Sequence, residues 1–171
     1  MEGLEDIISD RLLALFCGIN PGLKSAIDGH HFSGRSNRFW RTLYLSGFTP
    51  HEIAAVNDQT LLEYGYGLTT VVERPTSRAS LVAKHEFEDS AELFFRKIEA
   101  YKPRNVIFLG KPAFQALSGL KTIPWGLQAE QIKEIPIWVL PNPSGLNRGF
   151  SLDMLVAAYK EACAVITGIR A

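Results

Sequence analysis

The loop Gly18-Ile19-Asn20-Pro21-Gly22 is the feature of this sequence that most constrains the fold. It directly follows the apolar run 12–17, and this order predicts a buried strand that ends in a sharp turn. A second Asn-Pro turn, residues 141–148, follows another apolar run, 137–140. Two strands that each end in such a turn indicate one site, assembled at the strand ends of an α/β sheet.

The alternation of apolar strands with helical patterns extends this prediction to the whole chain. Strands are predicted over 11–17, 68–72, 106–109 and 137–140. A helix is predicted from Ser36 or Asn37 to Ser46, and a short helix is predicted to follow a capping box at 49–52. Further helices are predicted over 59–64, 88–100, 111–117 and 151–167. The segment 18–36 is predicted to be a loop. The expected fold is a three-layer α/β/α domain with a central, mainly parallel sheet, formed by residues 1–171 as a single domain.

Composition narrows the function classes. No apolar run reaches the ~18–20 residues of a membrane helix, and the N-terminus lacks the basic region of a signal peptide. Cys17 and Cys163 are expected to be buried free thiols, which is consistent with a reducing cytosol, so we predict a cytoplasmic protein. Because no apolar run has the length of a membrane helix, we also predict that the protein does not bind membranes. The formal net charge of zero disfavours nucleic-acid binding through bulk charge and leaves local contacts as the means.

Asn20 is the candidate catalytic residue. Its amide has no useful pKa and cannot act as a general base, but its carbonyl oxygen can hold a water molecule in place. That suits a reaction in which the leaving group departs early and the nucleophile needs only positioning. An isolated Asn-Pro pair is more often a simple turn; the second Asn-Pro turn favours a site. No metal is expected, because the four histidines have no cysteine or carboxylate at ligand spacing.

Five segments of the chain form a recognisable series. They are Gly18-Ile19-Asn20-Pro21-Gly22-Leu23, Asn37-Arg38-Phe39-Trp40, Val72-Glu73-Arg74-Pro75-Thr76, Leu109-Gly110-Lys111 and Asn142-Pro143-Ser144-Gly145-Leu146. Taken together and in this order, they resemble the mismatch-specific uracil-DNA glycosylase and thymine-DNA glycosylase family. The resemblance implies a uracil-DNA glycosylase-like fold without a cofactor. It also implies a monofunctional, monomeric enzyme of base excision repair, associated with the bacterial nucleoid, whose partner is double-stranded DNA containing a mismatched or damaged base. Such an enzyme excises uracil opposite guanine and leaves an abasic site.

The resemblance also assigns roles to residues. Asn20 would position the water that attacks the anomeric carbon, and Phe32 would stack on the base. Leu146 would fill the gap left by the flipped nucleotide, and Arg148 would support that loop or contact DNA. The full substrate-binding set is Ile19, Ser25, His31, Phe32, Thr70 and Asn142, and the full wedge set is Gly145, Leu146, Asn147 and Arg148.

Several alternatives stay open at this stage. Gly29-His30-His31 resembles the thymine-processing branch and 143–146 the bacterial uracil branch, so thymine and other damaged pyrimidines are further candidate substrates. His31 would either hydrogen-bond the leaving base or be a loop histidine. Two other functions compete with the glycosylase: a hydrolase of free nucleosides or nucleotides, which needs no wedge, and a slow lesion-binding module.

Overall fold

The computed structural model describes residues 2–168, and within them five strands form one sheet in the order β2-β1-β3-β5-β4. β1, β2, β3 and β5 run parallel, and β4 pairs antiparallel with β5. The strands are β1 Ala14–Gly18, β2 Tyr66–Thr70, β3 Val106–Leu109, β4 Gly126–Ile132 and β5 Ile135–Leu140. The predicted mainly parallel α/β sheet is therefore confirmed.

Helices cover both faces of this sheet. The α-helices are α1 Leu23–Asp28, α2 Phe39–Ser46, α3 Lys84–Tyr101, α4 Lys111–Ser118 and α5 Leu152–Thr167, and two 3₁₀ helices span Ala55–Tyr64 and Ala79–Leu81. The Ser151 hydroxyl accepts the backbone N–H of Met154 and so begins α5 as predicted. None of the helices between residues 2 and 168 combines the length and apolar character needed to cross a membrane.

The side-chain alternation of β1 explains the three layers. Ala14 and Phe16 point into the core cluster that α2 and α5 cover, whereas Leu15 and Cys17 point into the cluster that α3 and α4 cover. All four side chains are buried, as expected for a central strand with helices on both sides.

Parallel pairing brings the carboxyl ends of four strands to one edge of the sheet. Gly18 at the end of β1 pairs with Thr70 at the end of β2, and Leu109 at the end of β3 pairs with Leu140 at the end of β5. β1 lies between β2 and β3, so β2 and β3, the next two strands along the chain, are added on opposite sides of β1. The edge beside such a switch point is where open α/β sheets bind ligands.

The structure corrects the predicted helices around residue 50. Thr49 does not cap a helix: its hydroxyl donates to the carbonyl of His51 at 2.8 Å, and residues 50–54 are non-helical. The helix predicted over 59–64 is a 3₁₀ helix that begins at Ala55. Local hydrogen bonding by the threonine side chain competes with helix capping at this position.

Three of the elements between residues 2 and 168 were not predicted: α1, the short 3₁₀ helix Ala79–Leu81 and β4. The segment 18–36, expected to be a loop, contains α1, which is too short for a helical period to be visible. The antiparallel edge strand β4 is mostly exposed, so it lacks the apolar run by which β1, β3 and β5 were recognised.

The N-terminal segment is held across β2 and against the loop before α2. Backbone hydrogen bonds join Ile7 and Leu68 in both directions, and the Asp6 carboxylate contacts Lys97 Nζ and Thr69 Oγ1, both at 2.6 Å. The Glu5 carbonyl lies 2.8 Å from His31 Nε2. A carbonyl is only an acceptor, so this nitrogen of His31 carries the proton.

The environment of His31 favours the neutral form of its ring. Its side chain is buried, and burial lowers its pKa below the ordinary value of 6.5 more strongly than the Glu5 carbonyl and Asp58 raise it. The backbone N–H of His31 donates to Asp58 Oδ2 at 3.0 Å, which fixes the position of the residue as well.

We therefore predict that the His31 ring titrates with a midpoint below 6.5 in an NMR pH titration. Unfolded His31 binds its proton first as the pH falls, so the free energy of unfolding should decrease from about pH 7.5 to about pH 5.5, and His31→Gln should flatten this decrease. Urea unfolding of wild type and His31→Gln at these two pH values measures the decrease in each protein. A midpoint at or above 6.5, or the same pH dependence in both proteins, would contradict the prediction.

Candidate active site

A cavity of about 330 Å³ opens at the carboxyl-terminal edge of the parallel strands. Both Asn-Pro turns contribute to its wall, as the sequence predicted. A Cβ on Gly110 would lie 3.4 Å from Ile19 Cδ1 and 3.6 Å from Asn142 Cβ, so the two turns converge at this glycine. The residues predicted for the site that line the cavity are Ile19, Asn20, Ser25, His31, Phe32, Thr70, Asn142 and Leu146.

The segment that follows β2 runs alongside the first turn. Beyond the strand ends, the N–H of Thr76 donates to the carbonyl of Pro21, and the N–H of Leu23 donates to the carbonyl of Thr76, both at 3.1 Å. Parallel pairing thus continues past β1 and β2 and places residues 74–76 beside Asn20.

The Asn20 amide is fixed in one orientation by this segment. Its Nδ2 donates to the Arg74 carbonyl and to Thr76 Oγ1, both at 2.8 Å. The Arg74 carbonyl can only accept, so the atom beside it must be the NH₂ group. The Thr76 hydroxyl donates its own proton to the Arg78 carbonyl at 2.7 Å, which leaves its oxygen to accept from Asn20. Oδ1 is therefore the amide atom that can accept a hydrogen bond from a water molecule in the cavity.

An ion pair orients the segment that holds the amide. Arg74 Nε and Nη2 donate to the two carboxylate oxygens of Glu86, at 2.6 and 3.0 Å. Together with the N–H of Ala83, which donates to the same carboxylate, this guanidinium lowers the pKa of Glu86 to about 2. The pair lies at the surface, where ion pairs contribute little stability; its geometric effect is to connect the Arg74 segment to the start of α3.

Phe32 lies over the end of β1. It has φ +54°, in the left-handed region that residues other than glycine rarely adopt. Its ring stacks on Phe39 with centroids 4.1 Å apart, and its Cζ would be 3.7 Å from a Cβ on Gly18. A non-glycine residue in this conformation is commonly found at functional sites, and the fixed ring offers a surface on which a planar base can stack.

Ser25 and His31 form the wall next to Phe32. The buried Ser25 hydroxyl accepts the N–H of Ser33 at 3.1 Å, and this bond ties α1 to the loop that contains His31 and Phe32. The Nε2–H of His31 is already donated to Glu5, and in this tautomer its Nδ1 is an acceptor. His31 is thus a cavity-lining side chain as well as a structural one, and it has no ring proton left to donate to a base.

Residues 142–148, which we name the wedge loop, form a turn that is held by hydrogen bonds between its own residues. The Asn142 side-chain oxygen accepts the N–H of Ser144, and Asn147 Nδ2 donates to the Asn142 carbonyl, both at 2.9 Å. Leu146 at the tip is 63% exposed. A compact turn therefore presents one large apolar side chain to solvent at the mouth of the cavity.

The remaining predicted wedge residues lie on this loop, outside the cavity wall. A Cβ on Gly145 would come within 2.6 Å of the Ser36 carbonyl, so the close approach of the two loops requires glycine there. Asn147 bonds within the loop, and the Arg148 side chain is exposed.

Several contributors to the site were not predicted from the sequence. Thr76 belongs to a recognised motif, but only the fold shows that it holds Asn20. Lys24 and Arg78 line the cavity and bring positive charge to it, although Lys24 is paired with Asp28 at 2.9 Å. The available signal in the sequence was that Arg78 is a basic residue in a predicted loop, shortly after Thr76.

Neither the Asn20 amide nor the thiol of Cys17, near the end of β1, supplies a nucleophile that titrates near neutral pH. Burial raises the pKa of the Cys17 thiol far above its ordinary value, so the thiol stays protonated and is a poor nucleophile. Within residues 2–168, no three side chains of histidine, cysteine, aspartate or glutamate are grouped so that they could hold a metal ion.

Comparisons with known proteins identify the fold and the family of this chain. The fold is similar to the solution NMR structure of a Methanosarcina acetivorans protein described as a candidate uracil DNA glycosylase, with a TM-score of 0.64 and 21% sequence identity over 93% of this chain and 96% of that one. The family model of the Uracil DNA glycosylase superfamily matches residues 6–163. A match over that much of the sequence shows that this chain belongs to the Uracil DNA glycosylase superfamily.

Proposed function

We propose that this protein is a monofunctional DNA glycosylase of base excision repair that acts as a monomer and excises uracil opposite guanine from double-stranded DNA. Membership of the superfamily supports the reaction class, hydrolysis of an N-glycosyl bond in DNA. The observation that carries the proposal is the Asn20 amide. Its NH₂ group is held by Arg74 and Thr76, so its carbonyl oxygen can hold a water molecule.

The reaction requires an extruded nucleotide, because the glycosidic bond is inaccessible in a stacked duplex. A mismatched base costs less to flip than a paired one, which favours uracil opposite guanine. The base would enter the cavity and stack on Phe32, and Leu146 would occupy the vacated position in the stack.

Bond cleavage follows from these positions. The electrons of the C1′–N1 bond pass to the uracil ring, which leaves as an anion, and the water held by Asn20 adds its oxygen to C1′. One water proton goes to the departing base or to solvent. The carbon becomes electrophilic as the base departs. The water therefore needs only to be positioned and need not be deprotonated first, and an amide can do this.

The monofunctional reaction is supported by the position of Lys24. Its ammonium group is paired with Asp28 and its side chain is 63% exposed, which is the environment of a charged surface lysine and not of a desolvated amine nucleophile. The expected product is an abasic site in an unbroken strand.

The proposal is tested with labelled duplexes that carry uracil or thymine opposite guanine, uracil opposite adenine, and uracil in a single strand. We expect excision of uracil opposite guanine, with strand scission only after alkali. Scission without alkali would refute the monofunctional reaction. Hydrolysis of free deoxyuridine without excision from DNA would favour a nucleoside hydrolase, and tight duplex binding without excision would favour a lesion-binding module.

Asn20→Ala should lower the single-turnover excision rate by about 10²-fold or more, because the water loses its positioning group. Duplex binding should change little, which a fluorescence anisotropy titration measures. The matched control is Asn57→Ala, an exposed asparagine that does not line the cavity. An unchanged excision rate in Asn20→Ala would remove the basis of the proposed mechanism.

Thr76→Val should lower the same rate about three- to tenfold, which corresponds to the loss of one hydrogen bond of ordinary net strength. Thr76→Ser keeps the hydroxyl between Asn20 and Arg78 and should stay within about twofold of wild type, because that hydrogen bond survives. Equal rates for the valine and serine variants would show that the hydroxyl does not orient Asn20.

Leu146→Ala should lower excision from the duplex about tenfold and excision from a single strand much less, since only the duplex leaves a gap that needs apolar filling. Leu93→Ala, which truncates a leucine of similar exposure (66%) on α3, is the matched control. If both Leu146→Ala rates fell equally, Leu146 would not act as a wedge.

A further inference from the structure

We infer that Arg38 is a positioning residue that holds the wedge loop in the shape that presents Leu146 to the duplex. This inference rests on the proposed function, because it assigns Arg38 to base flipping and not to bond cleavage. Arg38 lies immediately before α2 and does not line the cavity.

The Arg38 guanidinium binds carbonyl oxygens of the wedge loop and its flanks. Nη2 donates to Ser144 at 2.8 Å and to Asn147 at 3.1 Å, so one NH₂ group spans the base of the turn that carries Leu146. Nη1 donates to Phe150 at 2.6 Å, and Nε lies 3.4 Å from the Pro143 carbonyl. Four carbonyl groups from residues 143–150 therefore converge on one side chain.

The backbone of Arg38 adds a further bond to the same loop. Its N–H donates to the Pro143 carbonyl at 3.0 Å, so the residue contacts the loop from its main chain and its side chain together. A guanidinium suits this arrangement, because its N–H donors form a rigid planar fork, whereas an ammonium group donates from a single point.

The contacts connect the loop to the protein core. The Tyr159 hydroxyl of α5 donates to the Pro141 carbonyl at 2.7 Å and holds the chain just before the loop. Arg38 holds the loop itself and passes directly into Phe39, which is fully buried in the same core cluster as Tyr159. The exposed Leu146 side chain is thus carried on a rigid support and not on a freely moving turn.

The physical consequence is preorganisation. A wedge that is already in shape does not lose conformational freedom when it enters the stack, so less of the binding free energy is consumed in ordering the loop. Removing the guanidinium should impair the step that needs the wedge and leave the water-attack step at Asn20 nearly intact.

The first test compares Arg38→Met and Arg38→Lys with Arg41→Met. Arg41 is the matched control, because it lies on α2 and its guanidinium is at the surface, 3.3 Å from Glu52. In single-turnover assays we expect Arg38→Met to lower excision from the duplex about tenfold and excision from a single strand less than about threefold. Arg38→Lys should be intermediate and Arg41→Met unchanged. If Arg38→Met does not fold, Arg38→Lys carries the comparison.

The second test is the double variant with Leu146→Ala. If Arg38 acts through Leu146, the double variant should excise uracil from the duplex at a rate less than about twofold below that of Arg38→Met alone. In Arg38→Met the Leu146 side chain is already misplaced, so its truncation costs little more. Fully additive losses, or equal losses on duplex and single strand, would overturn the inference.

A measurement without catalysis separates the failure of this inference from the failure of the proposed function. Hydrogen exchange of the amides of residues 144–148 should be faster in Arg38→Met than in wild type and Arg41→Met, with the core strands little changed. If wild type excises no uracil from any DNA, the proposed function fails and exchange alone decides whether Arg38 holds the loop. Unchanged exchange in an otherwise folded Arg38→Met would overturn the inference in either case.

Discussion

The parallel pairing of β1 with β2 and β3 is the constraint on which the site depends. The pairing aligns Gly18 with Thr70 and continues beyond both strands, where the N–H of Val72 donates to the carbonyl of Ile19 at 3.0 Å. This continuation places the Arg74 carbonyl and the Thr76 hydroxyl beside Asn20. Without it, an asparagine in a Gly-Pro-rich turn would have no defined amide direction, and a water molecule bound to it would have no defined position.

The two halves of the proposed reaction are supported from opposite faces of the sheet. Asn20 is oriented by a segment that Arg74 connects to Glu86 on α3, on the face that α3 and α4 cover. The wedge loop is held through Arg38 at the start of α2 and Tyr159 on α5, on the other face. The groups that would position water and the groups that would contact the duplex are thus held by separate sets of contacts. A substitution can therefore affect base flipping without affecting the attack by water, or the reverse.

The predictable parts of this structure are those with a strong local signal. The central strands were recognised because both of their sides are buried, which makes their sequences continuously apolar. The edge strand β4 lacks that signal, since one side of it faces solvent. Thr49 showed a capping pattern, but its hydroxyl bonds instead to a carbonyl two residues later, and such local competition is invisible in a pattern of residue types.

The sequence by itself determined where the buried strands lie, which turns follow them, and, because parallel strand ends meet at one edge, that the turns carrying Asn20 and Leu146 line one cavity. Only the tertiary structure decided how these two side chains are held. The Asn20 amide is oriented by a carbonyl 54 residues away, and Arg38 binds a carbonyl 112 residues away. Every residue has a backbone carbonyl, so no residue type marks the one that will serve as an acceptor; the fold selects it by bringing the chain there.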